Sequence, residues 1–400
     1  MRALIRLRLV WIRLVWIRLV WIRTVWIRTV RALLLAGALG LTAAHPGRAE
    51  SFYQGKQLVV LVNFAQGGPT DAEARLLARH IARVVGGNPT VLVQNMDGSN
   101  GALAANWLAK VAAPDGLIVG YFSGIATLRA LSDPVLSSDV ARLAFVAASP
   151  SFGVTYARTD IAGGIKRPLD LLQRKDFWIG GLRADSDRDL RMRMQLDLLG
   201  IAHNYQTGFA SIAEARQAFQ RGEIQLLLEP LNAYRAAIEP GLVASRTAMP
   251  LWLDPLDDGE TFSRSLDADN LPALIFTDVL TQVRPALPKS ELFDAWRLVN
   301  QMGTLFQRIV VTAPGTPQPA LEELRKAFVQ LGQDAAFKDD AQKSIKIVPS
   351  FAADLKTAGL FQRIADPEPR LQSFLKKYIA QASPDAVKEV PGDVPPKKGP

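Results

Sequence analysis

The sequence predicts an α/β protein with two lobes, each built on a mainly parallel sheet flanked by helices. Three observations lead to this fold class. Apolar strand-like runs alternate with helical patterns, glycine-rich loops follow several of the strands, and the roughly 350 residues after the leader suit two domains of ordinary size. Because ligand sites in such sheets lie at the carboxyl ends of the strands, the loops after the strands are the candidate functional segments.

The first 49 residues are predicted to be a leader that is not part of the fold. Arg-Leu-Val-Trp-Ile recurs over residues 8–22 and continues as Arg-Thr-Val-Trp-Ile to residue 27. An apolar segment over residues 32–44 and small residues before Glu50 then give the pattern of a secretory signal, with cleavage after Ala49. A repeat expansion or a mis-assigned start near Val30 would also explain the repeat, and an uncleaved membrane anchor is a further alternative.

Charge and cysteine content narrow the function classes. The net charge is +9, but nine arginines and no acidic residue lie in the leader, so the remaining chain has 38 basic and 38 acidic residues. A basic footprint for nucleic acid is therefore absent. The chain has no cysteine, which excludes disulfides, thiolate metal sites and lipid attachment through a cysteine. An exported, cysteine-free protein fits a bacterial periplasm.

The first candidate loop follows the apolar strand Leu58–Val62 and precedes a helix. Gly67 and Gly68 allow close backbone approach to a ligand, and free amides at the helix start favour an anion such as a carboxylate. Thr70 or Asp71 is expected to cap the helix; in a ligand role Asp71 would accept a hydrogen bond from a hydroxyl or ammonium. The predicted ligand contacts of this loop are Phe64, Ala65, Gly67, Gly68, Thr70 and Asp71.

Further candidates follow later strands. In the first lobe they are Ser99, Asn100 and Gly101 after the strand at 90–93, and Ser123 after the strand at 117–121. In the second lobe they are Arg183 and Asp185, then Thr207 and Gly208, with Glu229 at the hinge or the cleft rim. Arg183 could bind a carboxylate in a bidentate manner, with two hydrogen bonds from its guanidinium. The dense charge run from Asp185 to Arg193 is alternatively a solvated helix face.

The predicted domain organisation has the second lobe inserted into the first. Residues 50–151 and 254–382 form lobe 1, residues 152–253 form lobe 2, and residues 383–400, rich in proline and lysine, form a disordered tail.

No pattern in the sequence indicates a catalytic, metal or cofactor site. The two histidines after the leader, His80 and His203, lack the spacing of a metal-binding helix. A nucleophile elbow, a Walker loop and a dinucleotide fingerprint are not found. We therefore predict a protein without cofactor or metal that is not an enzyme; the enzyme alternative would need Asp71 or Asp185 as a general base.

Four motifs in order resemble the substrate-binding proteins of tripartite tricarboxylate transporters, the TctC or Bug family. The first has Phe64, Gly67, Gly68 and Asp71; the second has Asn95, Gly98, Gly101 and Ala102; the third and fourth are Pro114–Gly116 and Ala313–Pro317. The chain departs from the family at Asn63 and Pro69. It also departs at residues 181–187, where the family has a Gly-x-Gly-Ser stretch followed by a histidine.

The resemblance implies a clamshell of the class II periplasmic binding protein type. It implies a small carboxylate ligand held between the lobes and delivery of that ligand to a membrane permease. We also expect a monomer, located in the periplasm after export. The alternative function is an extracytoplasmic receptor that senses the ligand and signals to a membrane partner without transport.

Overall fold

The computed structural model describes Trp21 and residues 51–382, apart from residues 162, 266, 267 and 269. The predicted signal, its cleavage site and the tail at 383–400 lie outside the described residues, Trp21 excepted. Within the described part of the chain, no helix combines the length and the apolar character needed to cross a bilayer.

Strands and helices alternate along most of the chain. The strands are β1 (Gln57–Val62), β2 (Thr90–Asn95), β3 (Ile118–Ser123), β4 (Ala144–Ser149), β5 (Gly153–Arg158), β6 (Trp178–Gly180), β7 (Asn204–Gln206), β8 (Leu226–Pro230), β9 (Ala248–Leu253), β10 (Leu256–Asp257), β11 (Phe262–Ser263), β12 (Leu274–Ile275) and β13 (Arg308–Thr312). The α-helices are α1 (Pro69–Val84), α2 (Ala102–Lys110), α3 (Ile125–Ala130), α4 (Asp187–Leu199), α5 (Ile212–Arg221), α6 (Leu231–Ala237), α7 (Phe276–Val283), α8 (Glu291–Gly303), α9 (Gln318–Leu331), α10 (Ala335–Ser344), α11 (Leu355–Ala365) and α12 (Pro369–Ala380).

The first sheet has the strand order β2-β1-β3-β13-β4. β1 pairs in parallel with β2 and β3, whereas β13 runs antiparallel to both β3 and β4. The start of β13 therefore lies at the edge where the other strands end, and Arg308 is in register with Ser123 and Ser149. A residue far along the sequence thus joins the candidate loops of the first lobe.

The second sheet has the order β12-β9-β5-β8-β6-β7. β5 runs antiparallel to β8 and β9, and the other pairs are parallel. Both sheets are thus mainly parallel with one antiparallel strand, which confirms the predicted fold class.

The chain passes between the two sheets in two adjacent stretches. One joins β4 to β5, and the other follows α8 and leads into β13. The Ser151 amide donates to the Thr304 carbonyl at 3.0 Å, so the two passages are hydrogen bonded to each other. The exact division of the chain at residues 151 and 253 stays a prediction.

Helix α4 is buried on nearly all sides. It carries the charge run for which a solvated helix face was an alternative, but the exposed fractions of Asp189, Arg191 and Arg193 are 0%, 4% and 6%. The helix lies beside α8, β8 and α7. The solvated-face interpretation is therefore wrong, because these charges find partners inside the protein.

Helix α1 begins two residues earlier than a cap at Thr70 requires and three residues earlier than a cap at Asp71 requires. Gly68 occupies the N-cap position without a side-chain cap, and Pro69 stands in the first turn, where its missing N–H costs no hydrogen bond. The prediction of a cap at Thr70 or Asp71 is therefore wrong. The Asp71 carboxylate instead accepts a hydrogen bond from the Gly67 amide in the preceding loop.

Candidate functional site

Asn63 joins three of the candidate loops in the first lobe. Its side-chain amide donates to the Ser123 carbonyl at 2.9 Å and accepts from the Ser123 amide at 3.1 Å. A Cβ at Gly101 would clash with the amide nitrogen of Asn63, so the loop after β2 also packs against this residue. Asn63 is fully buried. The structure thus brings Gly101 and Ser123 together next to the end of β1.

Asp71 and Asn95 hold the first loop in place. The Asp71 carboxylate accepts hydrogen bonds from the Gly67 amide, from Arg75 Nε and from Asn95 Nδ2, each at 2.9 Å. Asn95 also donates to the Phe64 carbonyl at 2.9 Å. Asp71 is buried and engaged by protein donors on both oxygens. It therefore shapes the loop, and the ligand contact predicted for it has no support here.

The pKa of Asp71 is lowered. Burial opposes ionisation, but the hydrogen bonds from Arg75, Gly67 and Asn95 outweigh it. A carboxyl group with a lowered pKa is a poor proton acceptor at neutral pH, which speaks against Asp71 as a general base.

This pKa shift predicts a pH-dependent contribution to stability. The ionised Asp71 stabilises the fold above the pKa of an unfolded aspartate, about 3.9, and this contribution is lost as pH falls through the lower folded-state pKa. The difference in melting temperature between wild type and Asp71→Asn should be largest at pH 7 and shrink below pH 4. Asp97→Asn, in an exposed loop, is the control. A difference that stays constant with pH would contradict this.

The loop that carries Ser99, Asn100 and Gly101 has an unusual backbone. Gly98, Ser99, Asn100 and Gly101 have φ angles of 145°, 50°, 53° and 86°, a region that side-chain-bearing residues seldom enter. Ser99 and Asn100 are exposed. A strained segment of this kind persists where its surroundings fix it, often at binding sites.

Arg308 and Glu73 form an ion pair beside Ser123. Arg308 Nε and Nη2 donate to the two Glu73 oxygens at 2.9 and 3.1 Å, and Nη1 donates to Ser123 Oγ at 3.0 Å. The Tyr121 hydroxyl donates to Glu73 at 2.9 Å. The two charged side chains are 11% and 13% exposed. Sequence reasoning missed both, since they are 235 residues apart.

In the second lobe, Asp189 organises the loop after β6. Its carboxylate accepts from the Arg183 amide at 3.0 Å and from the Tyr205 hydroxyl at 2.9 Å. A Cβ at Gly181 would collide with this carboxylate, so the glycine is needed for close approach. Burial raises the pKa of Asp189.

Arg183 and Asp185 bind each other. The Arg183 guanidinium donates to the two Asp185 oxygens at 2.9 and 3.2 Å, and both side chains are about half exposed. The neighbouring loop contacts this one, because the Gly208 amide donates to the Leu182 carbonyl at 3.2 Å. The hydroxyl of Thr207 is buried close to that of Tyr205. The second-lobe candidates thus lie together at one sheet edge.

Glu229 is buried and paired. Its carboxylate accepts hydrogen bonds from Arg216 Nη2 at 2.5 Å and from the Tyr156 hydroxyl at 2.7 Å. These contacts anchor the end of β8 inside the second lobe.

A buried ion network lies next to the passages between the sheets. Arg191 Nη1 donates to Asp254 at 2.5 Å, and its Nη2 donates to Asp187 at 3.1 Å. The second oxygen of Asp254 accepts from Gln195 Nε2 at 2.7 Å, and Gln195 accepts from the Trp252 indole at 2.9 Å. Gly303, just before the second passage, packs against Asp187 and Arg191.

Within the described residues, no three His, Asp or Glu side chains are arranged to hold a metal ion. An open groove of about 540 Å³ lies at the start of α8, lined among others by Ser290, Asp294 and Arg370. None of its lining residues belongs to the candidate loops.

Comparisons with known proteins give a short sequence match and an extended structural match. No family model matches the sequence. The UPF0065 protein in the TAR-I ttuE-ttuC' intergenic region of Agrobacterium vitis is 40% identical over 85 residues, 21% of this chain. The match spans 24% of that relative's own length.

Solved structures cover most of the chain. A TctC solute binding protein from Polaromonas matches with a TM-score of 0.61 and 16% identity, over 82% of this chain and 99% of that one. R. palustris Rpa4515 with adipate matches with a TM-score of 0.52 and 16% identity, over 82% and 97%. A periplasmic transporter matches with a TM-score of 0.51 and 19% identity, over 81% and 98%. The chain has the fold of these three structures, and the predicted resemblance to the TctC proteins is confirmed at the level of the fold.

Proposed function

We propose that this protein is an extracytoplasmic solute-binding protein that captures a small organic acid between its two lobes. The observation that carries the proposal is the gathering of glycine-rich loops at the carboxyl edges of two mainly parallel sheets. At the first edge Asn63 is hydrogen bonded to Ser123 and packs against Gly101. At the second edge the Gly208 amide is hydrogen bonded to the Leu182 carbonyl. Loops arranged in this way at strand ends are where ligands of α/β proteins bind.

The ligand carboxylate would bind at the start of α1. Thr70 is the second helical residue after the N-cap Gly68, and amides in the first turn of a helix have no partner within the helix. Together with the positive end of the helix dipole, such amides favour an anion. Ser123 and the loop Ser99–Gly101 would complete the first-lobe side. The adipate in the structure of R. palustris Rpa4515 supports a carboxylate as the ligand class.

The second lobe would close on the ligand from the other side. Arg183, Asp185, Thr207 and Gly208 lie at its sheet edge, where the side chains of Arg183 and Asp185 are about half exposed and the Gly208 amide donates to the Leu182 carbonyl.

Export and transport complete the proposal. The leader pattern supports secretion into the periplasm, and the resemblance to the TctC proteins supports delivery of the ligand to a tripartite tricarboxylate-type permease by a monomeric receptor. The function is binding without catalysis.

The test is differential scanning fluorimetry against mono-, di- and tricarboxylates, aromatic acids, amino acids and amides. A true ligand raises the melting temperature with concentration, because binding at 100 times its Kd adds about 2.7 kcal/mol of stability. Gly68→Glu places a carboxylate at the proposed anion site and should abolish the shift. The matched control is Gly359→Glu, at an exposed glycine on α11 with open space around it. A panel without any shift, or a shift that Gly68→Glu leaves intact, would contradict the proposal.

A further inference from the structure

The arginines at the two sheet edges are already neutralised by acidic side chains. In the first lobe, Arg308 is bound to both oxygens of Glu73, and Arg75 is bound to Asp71. Arg308 is only 11% exposed, so little of its guanidinium remains for a second anion. Arg75 is 39% exposed, but its charge is balanced by Asp71. The acidic partners are held there by the protein, so their charge is a fixed part of the site.

The second lobe repeats this arrangement. Arg183 is bound to both oxygens of Asp185, and Arg191 lies between Asp187 and Asp254. Burial opposes the charge of Arg308, but Glu73 above all, and Asp187 to a smaller degree, raise its pKa. Acidic groups therefore balance or outnumber the arginines around the cleft.

This balance limits the charge of the ligand. One carboxylate can bind on backbone amides at the start of α1, as proposed above. A second carboxylate would have to lie near Glu73, Asp185 or Asp187, and each of the four arginines named above is already paired with an acidic side chain. Charges in a closed, water-poor cleft interact strongly.

We infer that the ligand is a monocarboxylate whose remaining part is uncharged or cationic, and that the Glu73–Arg308 and Arg183–Asp185 pairs exclude dicarboxylates. This inference rests on the proposed function. It sets the protein apart from the R. palustris neighbour whose structure holds adipate, a dicarboxylate. Discrimination of this kind uses repulsive contacts against the wrong ligand as well as attractive contacts to the right one.

The experiment compares acids of equal length by isothermal titration calorimetry on the purified protein. Each set contains a dicarboxylate, its half-amide and the ω-amino acid: succinate, succinamate and 4-aminobutyrate, then adipate, adipamate and 6-aminohexanoate, then terephthalate, 4-carbamoylbenzoate and 4-aminomethylbenzoate. In the set that binds, the half-amide or amino acid should bind at least about tenfold more tightly than the dicarboxylate.

Two variants locate the discrimination. Glu73→Gln keeps an acceptor for Arg308 and Tyr121 but removes the charge, and Asp185→Asn does the same for Arg183; at least one should raise dicarboxylate affinity relative to the half-amide by about tenfold. Asp294→Asn, in the exposed pair with Arg370, is the control and should leave the ratio unchanged. Because Asp185 is about half exposed, Asp185→Asn still tests the inference if Glu73→Gln does not fold.

The outcomes separate the inference from the proposed function. A dicarboxylate that binds as tightly as its half-amide overturns the inference and leaves the proposed function standing. An unchanged ratio in both variants also overturns it. If no acid in any set, nor any in the wider panel, binds at all, the proposed function fails and the inference fails with it.

Discussion

Replacing Arg191 with methionine is expected to lower the free energy of unfolding by about 3–5 kcal/mol, because the change leaves the buried Asp254 carboxylate without its counter-charge. Asp254 is 1% exposed and keeps only neutral partners once Arg191 is gone. Urea unfolding at pH 7, followed by circular dichroism, measures the change. The matched control is Arg370→Met, which breaks an exposed ion pair with Asp294 and should cost less than about 1 kcal/mol.

The double variant Arg191→Met, Asp254→Leu distinguishes loss of charge balance from loss of packing. Apolar residues that replace both members of a buried pair often restore stability, so this variant should be more stable than Arg191→Met alone. A single variant within 1 kcal/mol of wild type would mean that Asp254 does not depend on Arg191 as its counter-charge.

Gly101→Ala should both destabilise the protein and remove ligand binding. Gly101 has a φ of 86°, and a Cβ there would meet the Asn63 side chain. Left-handed strain costs about 1–2 kcal/mol, and forced displacement in a packed site adds about 1–3 kcal/mol. Asn63 also makes two hydrogen bonds to the Ser123 backbone, so its displacement should separate the loops of the first lobe.

The matched control for this variant is Gly124→Ala. Gly124 is also an N-cap glycine at this sheet edge, with a φ of 75°, but nothing lies within 4 Å of an added Cβ. It should show the strain cost alone and retain ligand-induced stabilisation. Urea unfolding and thermal shift with the identified ligand measure both effects. Equal losses in the two variants would show that Asn63 does not couple the loops.

Local patterns predicted much of the fold. The sequence predicts helices over residues 187–199, 212–221 and 335–344, and the structure has helices with these bounds. Serine or aspartate caps stand before their first residues and mark where each helix begins. The predicted cap of α1 was wrong, although Pro69 is itself a signal for the first helical position.

Burial was harder to predict than helix bounds. Helix α4 carries charged residues around its circumference, so no apolar stripe marks a buried face. Its arginines are buried because Asp254 and the rings of Tyr205 and Tyr378 lie beside them. Arg193 lies 4.8 and 4.6 Å from the centroids of these two rings. Such partners, 12 to 185 residues away, leave no trace in local periodicity.

The sequence predicted the loops of the candidate site, but it did not predict the side chains that hold those loops in place. Glycines after strands identified the segments around Gly67, Gly101 and Ser123. Asn63, Glu73 and Arg308 were not predicted as members, since only the pairing of β13 with β3 places Arg308 beside Ser123. Whether the loops bind a ligand stays a prediction.

The two passages between the sheets also restrict how the halves of the molecule can move. A single connecting stretch would let the two halves twist about its axis. Two stretches joined by the hydrogen bond between Ser151 and Thr304 instead form a two-point hinge. Bending about the line through them is then the soft degree of freedom, and twisting strains that hydrogen bond. Each opening would follow one path, and the loops of the two edges would meet in the same register every time they close.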